Sequence, residues 1–221
     1  MPAPVVLFDV DGTLTDTNYL HTLAWRRAFL DQGHDVGSWR IHRLIGASSA
    51  KLMADCIGRE DEDVKESWRS HFGELTPEIR AFPGASDLVR LVQARHGRAV
   101  LATSSPGDLV AHHLRALGLE EDDLSAITSD GDVEHAKPSP EVFQAALEAV
   151  GAAPADAIVV GDTGWDLDAA AAAGIASIAV CSGGWTTSEL LERGAVEVHE
   201  DVADLLASID TSALGAHLRT A

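Results

Sequence analysis

Short runs of apolar residues recur along the chain, and each ends in polar residues or glycine. The first run, at residues 5–8, is continuous and rich in β-branched side chains. Such runs are typical of strands buried on both faces of a parallel sheet. The same texture predicts further strands at residues 99–102, 126–128, 157–160, 175–180 and, more weakly, 196–199.

Helical periodicity occupies the intervals between most of these runs. Apolar residues spaced three to four apart predict one helix that begins after Gly84 and ends near Gly97, and another that opens at Pro140 and closes at Gly151. Strands that alternate with single helices favour right-handed crossovers. We therefore predict an α/β fold with a doubly wound parallel sheet.

Residues 15–83 break this alternation, because they carry helical patterns and no strand candidate. Apolar residues one turn apart form two amphipathic stripes there. The stripes are Ala24, Trp25, Ala28 and Phe29, and Val64, Trp68 and Phe72. We predict that residues 15–83 are an inserted helical cap domain, and that residues 1–14 and 84–221 form the α/β core domain. The last ten residues, 212–221, carry mixed charge and are expected to fray.

Composition and charge restrict the partners. The 221 residues are 46% hydrophobic and 23% charged, as in ordinary globular proteins. A net charge of -19 would repel a nucleic-acid backbone, so no nucleic-acid partner is expected. No apolar run approaches the length of a membrane helix, and the start of the chain lacks a basic lead. We expect no membrane partner and a cytoplasmic location, while the oligomeric state stays open.

Polar side chains follow the predicted strands, at the sheet edge where open α/β folds bind ligands. They are Asp9 and Asp11 after the first strand, Thr103, Ser104 and Ser105 after the second, Lys137 after the third, and Asp162 and Asp166 after the fourth. Each has an ordinary reading as a turn, cap or surface residue. Together they suit phosphoryl transfer, since carboxylates bind Mg²⁺ while a lysine and a hydroxyl hold phosphate oxygens.

These motifs closely resemble those of the haloacid dehalogenase superfamily. The segment from Phe8 to Asp16 is similar to its motif I, Thr103 to its motif II, Lys137 to its motif III, and Gly161–Asp166 to its motif IV. The helical insert resembles the cap of the branch that contains phosphoglycolate phosphatases and β-phosphoglucomutases. The resemblance covers nearly the whole chain, and the order and spacing of the motifs make it specific.

The resemblance implies a role for each position. Asp9 would be the nucleophile that forms an aspartyl-phosphate, and Asp11 the general acid and base. The Asp9 and Asp162 carboxylates and the Asp11 backbone carbonyl would hold Mg²⁺. Asp166 would orient these ligands or metal-bound water. Thr103, Ser104 and Lys137 would bind the phosphate of a small phosphate ester, with His21 as a cap residue near the substrate.

Two other reactions of the superfamily fit the sequence less well. Haloacid dehalogenases lack the second aspartate of motif I, which is present here as Asp11. Phosphonoacetaldehyde hydrolases also replace that aspartate and add a cap lysine for Schiff-base chemistry. Lys51 is the cap lysine nearest the expected place, but its spacing differs, so it is interpreted as a solvated helix residue.

A β-phosphoglucomutase-like reaction is the main alternative to hydrolysis. His21 stands where those mutases place a histidine against the catalytic acid. A mutase also needs a second cationic phosphate site, and the arginine expected after Gly46 is replaced by Ala47-Ser48-Ser49. Arg43 is a possible substitute. We therefore favour a phosphatase, with a mutase second and a catalytically silent binding module third, because every catalytic group is present.

The sequence says little about substrate identity. Candidate substrate contacts in the cap are His21, Trp25, Arg43 and Lys51, each of which also suits a core or surface position. The pair His112-His113 lies on a predicted helix without acidic partners at metal spacing, and is interpreted as no zinc site.

Overall fold

The N-terminal apolar run forms a central strand, as its burial on both faces requires. The computed structural model describes residues 3–129, 135 and 137–219. Their strands form a six-stranded sheet in the order β3-β2-β1-β4-β5-β6, with every neighbouring pair parallel. The strands are β1 Val5–Phe8, β2 Arg98–Ala102, β3 Ala126–Thr128, β4 Ala157–Gly161, β5 Ala176–Val180 and β6 Glu197–His199.

Helices connect these strands and cover both faces of the sheet. In the described part of the chain they are α1 Asn18–Asp31, α2 Ser38–His42, α3 Ser49–Ile57, α4 Glu62–Leu75, α5 Ala85–Ala94, α6 Gly107–Leu117, α7 Glu141–Val150, α8 Gly164–Ala172, α9 Thr187–Glu192, α10 Val202–Ala207 and α11 Ala213–Leu218. The predicted doubly wound α/β fold is confirmed, and the predicted strand limits differ by at most one residue at either end.

Alternation along β1 divides the core into two layers. Val6 and Phe8 pack into the cluster formed with α5, α10 and α11, whereas Val5 and Leu7 pack against α7 and α8. All four side chains are fully buried. Burial of each such side chain contributes roughly 1.5–3 kcal/mol, so this run fixes the centre of the sheet.

Helices α1 to α4 lie between β1 and β2 and enclose a hydrophobic cluster of their own. Both stripes seen in the sequence point into it, and α1 packs along α4. The two connecting segments pair with each other, since Phe82 N donates to Leu14 O at 2.9 Å and Asp16 N donates to Arg80 O at 2.9 Å. The predicted domain limits at residues 14/15 and 83/84 fall in these segments, and they stay a prediction.

The expectation that residues 212–221 fray is wrong for the described part of that segment. Ser212 caps α11 by accepting a hydrogen bond from Gly215 N at 3.1 Å. Leu214 and Leu218, one turn apart, are buried against the layer beneath α5. Two leucines were too few to show periodicity, but they suffice to dock one and a half turns of helix. Within the described residues, none of the helices combines the length and apolar character needed to cross a bilayer.

Candidate active site

The site lies at the carboxyl edge of the three central strands, and strand register brings its motifs level. Phe8 pairs with Leu101 on one side and with Val160 on the other. Asp9 therefore leaves the sheet at the same height as the ends of β2 and β4. Because the chain alternates sides after a strand, Asp9 and Asp11 both reach the space above this edge.

Lys137 is the buried cation of the site. Its side chain has no solvent exposure, and its ammonium group contacts Asp9 Oδ1 and lies 2.7 Å from Asp166 Oδ1. It also donates to the Ala102 carbonyl oxygen at 3.4 Å. The two carboxylates raise the pKa of Lys137 although burial opposes its charge. Lys137 is thus held as a cation against the nucleophile candidate.

Three buried carboxylates gather beside this lysine. Among the described residues, Asp9, Asp162 and Asp166 each offer an oxygen within 4.8 Å of the others. Burial, opposed by Lys137, and repulsion from Asp166 and Asp11 raise the pKa of Asp9 to about 7. Burial and the charges of Asp166 and Asp9 raise the pKa of Asp162 well above its usual value. One lysine does not balance three carboxylates, so the cluster suits an added cation.

The donor set fits Mg²⁺ in chemistry and in space. Its members are hard oxygen ligands, as Mg²⁺ prefers. Gly12 and Gly183 leave room beside them, because a Cβ built on either would lie 2.2 Å or 1.9 Å from Asp162 Oδ2. Asp162 is oriented by Thr13 Oγ1, which donates to Oδ1 at 2.9 Å, and by Asn18 Nδ2, which donates to Oδ2 at 2.9 Å.

Asp166 has less freedom than the other two carboxylates. Its Oδ2 accepts from Thr163 Oγ1 at 2.6 Å and from Thr163 N at 3.0 Å, while its Oδ1 faces Lys137. This arrangement also caps the start of α8. Both oxygens are engaged, which agrees with a supporting place for Asp166 behind the ligands.

The Asp11 side chain points away from the carboxylate cluster and is surrounded by side-chain hydrogen-bond donors. Its Oδ1 accepts from Thr17 Oγ1 at 2.6 Å and lies 3.0 Å from His21 Nε2. Its Oδ2 accepts from Ser105 Oγ at 2.7 Å and from Thr103 Oγ1 at 3.2 Å. Burial alone would raise the pKa of Asp11, but His113, His21 and these hydrogen bonds hold it well below the usual value. Asp11 is therefore a fixed carboxylate in this state.

The helical insert closes over the site through its Gly46 loop. Ser48 N donates to the Lys137 carbonyl oxygen at 2.9 Å, which joins insert and core directly. Gly46 has a φ of +91°, and a Cβ there would approach Thr163 Oγ1 to 2.9 Å. A glycine is required at this position for conformation and for space.

Between the loop and the sheet edge lies a cleft that is partly open to solvent. The core side presents Asp9, Asp11, Ser104 and Ser105, and the Ser104 hydroxyl has no hydrogen-bond partner among the described residues. The opposite wall is formed by the insert, with His21 and four large apolar side chains. These four are Trp25, Ile45, Leu52 and Trp68.

Two of the cap candidates lie away from this cleft. Arg43 pairs with Glu189 at 2.7 Å and stacks on Trp185, 4.0 Å from the ring centre. Lys51 pairs with Asp55 at 2.8 Å and sits over Trp165. Neither is among the residues that line the cleft, whereas His21 and Trp25 are.

Sequence reasoning missed several contacts of the site. Thr13 and Asn18 bind Asp162, Ser105 binds Asp11, and His113 is almost completely buried with its Nε2 3.5 Å from Asp11 Oδ1. His113 Nδ1 also lies 3.1 Å from Thr15 Oγ1. A signal for His113 existed, because position 113 falls on the buried face of α6 with Leu109 and Leu117. The prediction that His112 and His113 form no zinc site did not address a contact between His113 and Asp11.

A doubly wound sheet with an aspartate pair after β1, a buried lysine and a carboxylate cluster at one edge defines a class of α/β hydrolases. The haloacid dehalogenase-like hydrolase family model matches residues 3–174, and the chain belongs to this family. The resemblance inferred from the motifs is confirmed, and the protein is a hydrolase.

Curated relatives extend the match beyond the family model. A fructose-1-phosphate phosphatase from Escherichia coli (strain K12) is 30% identical over 189 residues, which are 79% of this chain and 95% of that protein. Pyrophosphatase PpaX from Oceanobacillus iheyensis is 27% identical over 217 residues, 96% of this chain and 99% of that protein. Among solved structures, a hydrolase from Pseudomonas syringae is 33% identical, with a TM-score of 0.89 and coverage of 95% of this chain and 99% of that one.

Proposed function

We propose that the protein is a Mg²⁺-dependent phosphatase that hydrolyses a small phosphate monoester through an aspartyl-phosphate on Asp9. The observation that carries the proposal is the buried arrangement of Asp9 and Lys137 beside Asp162, with Asp11 held separately 3.0 Å from His21. One carboxylate is placed to attack and another to move protons, and their different surroundings separate the two tasks. The names of the curated relatives support a phosphatase.

In the first step, an Asp9 carboxylate oxygen attacks phosphorus and the bond from phosphorus to the ester oxygen breaks. Asp11 delivers a proton to the leaving oxygen, so the alcohol departs neutral. The low pKa of Asp11 in the free enzyme is overcome when a phosphate dianion binds nearby, because like charge disfavours the carboxylate. Thr17, Thr103 and Ser105 keep the carboxyl group directed at this oxygen.

In the second step, a water molecule attacks the phosphorus of the aspartyl-phosphate. Asp11 takes the proton of that water, the bond to Asp9 breaks, and inorganic phosphate leaves with both aspartates restored. Lys137 pairs with the transferring phosphoryl oxygens and prevents Asp9 from rotating away. Thr103 and Ser104 supply the hydroxyl donors to the same group.

Asp9, Asp162 and the Asp11 carbonyl would hold Mg²⁺, and Asp166 would support them. The ion would offset negative charge on the phosphoryl oxygens. We propose residues 1–14 and 84–221 as the catalytic core and residues 15–83 as the cap. The absence of a nucleic-acid or membrane partner and the cytoplasmic location stay predictions.

The test is hydrolysis of p-nitrophenyl phosphate with and without Mg²⁺, together with trapping of the intermediate. We expect Mg²⁺-dependent turnover, and ¹⁹F NMR signals from beryllium trifluoride bound to Asp9 as a mimic of the aspartyl-phosphate. Absence of turnover above the Asp9→Asn background would contradict the proposal.

A mutase is the second candidate because His21 contacts Asp11, as expected for that branch. It would show as interconversion of glucose 1-phosphate and glucose 6-phosphate faster than the release of inorganic phosphate. We favour hydrolysis, since Arg43, the candidate for a second phosphate site, is paired with Glu189 outside the cleft.

A further inference from the structure

We propose that the cleft selects phosphate monoesters whose leaving group is uncharged and has an apolar face, and rejects leaving groups that carry a carboxylate or a second phosphate. This proposal rests on the phosphatase function above and adds the substrate class. The evidence for it comes from the cap side of the cleft, which faces the leaving group, and not from the phosphate site.

The wall opposite the catalytic aspartates is apolar. Trp25 and Trp68, which are 4% and 6% exposed, face the cleft with Ile45 and Leu52. The two indole rings stack on each other, with centroids 5.1 Å apart and an interplanar angle of 16°. Because the ring faces are covered by each other and by neighbouring rings, the indoles present small apolar surfaces to the cleft rather than open faces. Such apolar surfaces suit the C–H groups of a leaving group and offer nothing to an anion.

Among the lining residues that the structure describes, the cleft has no lysine or arginine to pair with a second anionic group. Among the described residues that line it, the titratable side chains are Asp9, Asp11 and His21. The Nε2 of His21 is already directed at Asp11 Oδ1. A carboxylate on the leaving group would therefore lie between two aspartates and an apolar wall, where an unpaired charge is costly.

The cations that could have served this purpose are committed elsewhere. Arg43 is held by Glu189 and Trp185, and Lys51 by Asp55 and Trp165. Lys137 lies on the core side, shared between Asp9 and Asp166. The net charge of -19 further repels substrates with additional negative charge.

The remaining space suits a small leaving group. The twelve described residues that line the cleft must enclose the phosphoryl group as well, so we expect a leaving group no larger than a polyol, a single sugar or one aromatic ring. Ser49, on the cap side of the cleft, is neutral and suits a hydroxyl group of such a leaving group.

The experiment compares kcat/KM within matched substrate pairs. In the first pair, 3-phosphoglycerate has a carboxylate where glycerol 1-phosphate has a hydroxymethyl group. In the second pair, fructose 1,6-bisphosphate has a second phosphate that fructose 1-phosphate lacks. We expect the member with the uncharged leaving group to be favoured about 100-fold or more in each pair, because an additional unpaired charge against the apolar wall is rejected strongly. Ratios within about threefold in both pairs would overturn the proposal.

Two arginine variants test the cause of this selectivity. Ser49→Arg introduces a cation at the cleft, and we expect the preference for glycerol 1-phosphate over 3-phosphoglycerate to fall at least tenfold. Ser70→Arg adds the same charge at an exposed position of α4 and should leave the preference unchanged. Equal effects of the two variants would assign any selectivity to overall charge and overturn the role of the cleft.

The two proposals fail differently. If no ester, including p-nitrophenyl phosphate, is hydrolysed, the phosphatase function fails and the substrate class fails with it. If p-nitrophenyl phosphate is hydrolysed but neutral and charged members of the pairs react alike, the phosphatase function stands and the substrate class alone is wrong.

Discussion

The two walls of the cleft, one from the core and one from the cap, differ in polarity. The core wall is polar and dense with hydrogen bonds: each oxygen of Asp11 has at least two partners, and Lys137 is buried between two carboxylates. The cap wall is made of aromatic and aliphatic side chains that also form the hydrophobic cluster of the insert. In our proposals, the first wall positions the reacting groups and tolerates little substitution, whereas the second selects the leaving group.

The largest expected effect is at the centre of the core wall. Asp9→Asn removes the proposed nucleophile, and we expect kcat/KM for p-nitrophenyl phosphate to fall about 10⁴-fold or more, because the proposed covalent route would be lost. Asp16→Asn is the matched control, since Asp16 belongs to the same motif but is exposed. A variant at Asp9 that retains a tenth of the activity would refute the assignment.

Lys137→Met should weaken both catalysis and the fold. Asp9 and Asp166 lose their buried partner, so we expect a loss of about 10³-fold in kcat and, without metal, about 3–5 kcal/mol of unfolding free energy. Steady-state kinetics and urea unfolding in EDTA measure the two effects. Unchanged unfolding would show that the lysine serves catalysis alone.

Metal binding should depend on pH in a definite direction. The pKa of Asp9 is raised to about 7 and that of Asp162 is also raised, so between about pH 4 and 7 these two carboxyl groups bind more protons in the folded protein without metal than in the unfolded chain. Their contribution to the free energy of unfolding therefore decreases as pH rises through that range. Mg²⁺ must displace these protons, and its stabilising effect increases over the same range.

Thermal unfolding with and without saturating Mg²⁺ checks this linkage. We expect a Tm increase of roughly 5–10 °C near pH 7.5, a smaller one at pH 5.5, and none in Asp162→Asn. An increase of equal size at both pH values would contradict the assignment of the carboxylate cluster as the metal site.

His113 should position the Asp11 carboxylate without contacting the substrate. It links the Asp11 carboxylate to Thr15, where the insert joins the core. We expect His113→Leu to lower kcat about 10-fold with little change in KM, and His113→Gln, which keeps a donor near the Nε2 position, to recover most of it. His112→Leu on the same helix is the control. A change in KM alone would argue against a positioning role.

The smallest effect is expected on the outside of the cap. Lys51→Gln breaks a half-exposed ion pair to Asp55, which contributes about 0.3–0.5 kcal/mol. Activity should stay within about twofold of the unchanged protein. A loss of activity as large as that of Asp9→Asn would instead indicate lysine-based chemistry in the cap.

Much of the core was predictable because its signals are local. A continuous run such as residues 5–8 can be buried only inside a sheet, and the residue after each run must lie at the carboxyl edge. Asp9, Thr103, Lys137 and Asp162 could therefore be proposed as site residues from position, and their roles stay predictions. The contacts of Thr13, Asn18, Ser105 and His113 were not, because their partners lie across the fold and a hydroxyl, amide or imidazole in sequence does not indicate its target.

For the cap, the sequence indicated the helices but not which of their residues face the cleft. The stripe of Val64, Trp68 and Phe72 predicted burial correctly, yet the same Trp68 that packs in the cap also faces the cleft. Arg43 and Lys51 were candidate substrate contacts that also suited surface positions, and the structure pairs them with Glu189 and Asp55. Charged side chains reach several ångströms, so sequence position alone does not fix where their charge lies.

The sequence by itself determined the fold class, the family and the candidate residues for phosphoryl chemistry, because each depends on short segments whose hydrophobic period and strand-end position are encoded locally. Only the tertiary structure decided which carboxylates gather as Asp9, Asp162 and Asp166, that Asp11 is isolated among donors, and that the cleft holds an apolar wall without a lysine or arginine among its described lining residues. Those properties arise where distant segments meet, and their energies depend on burial and separation, which exist only in the folded chain.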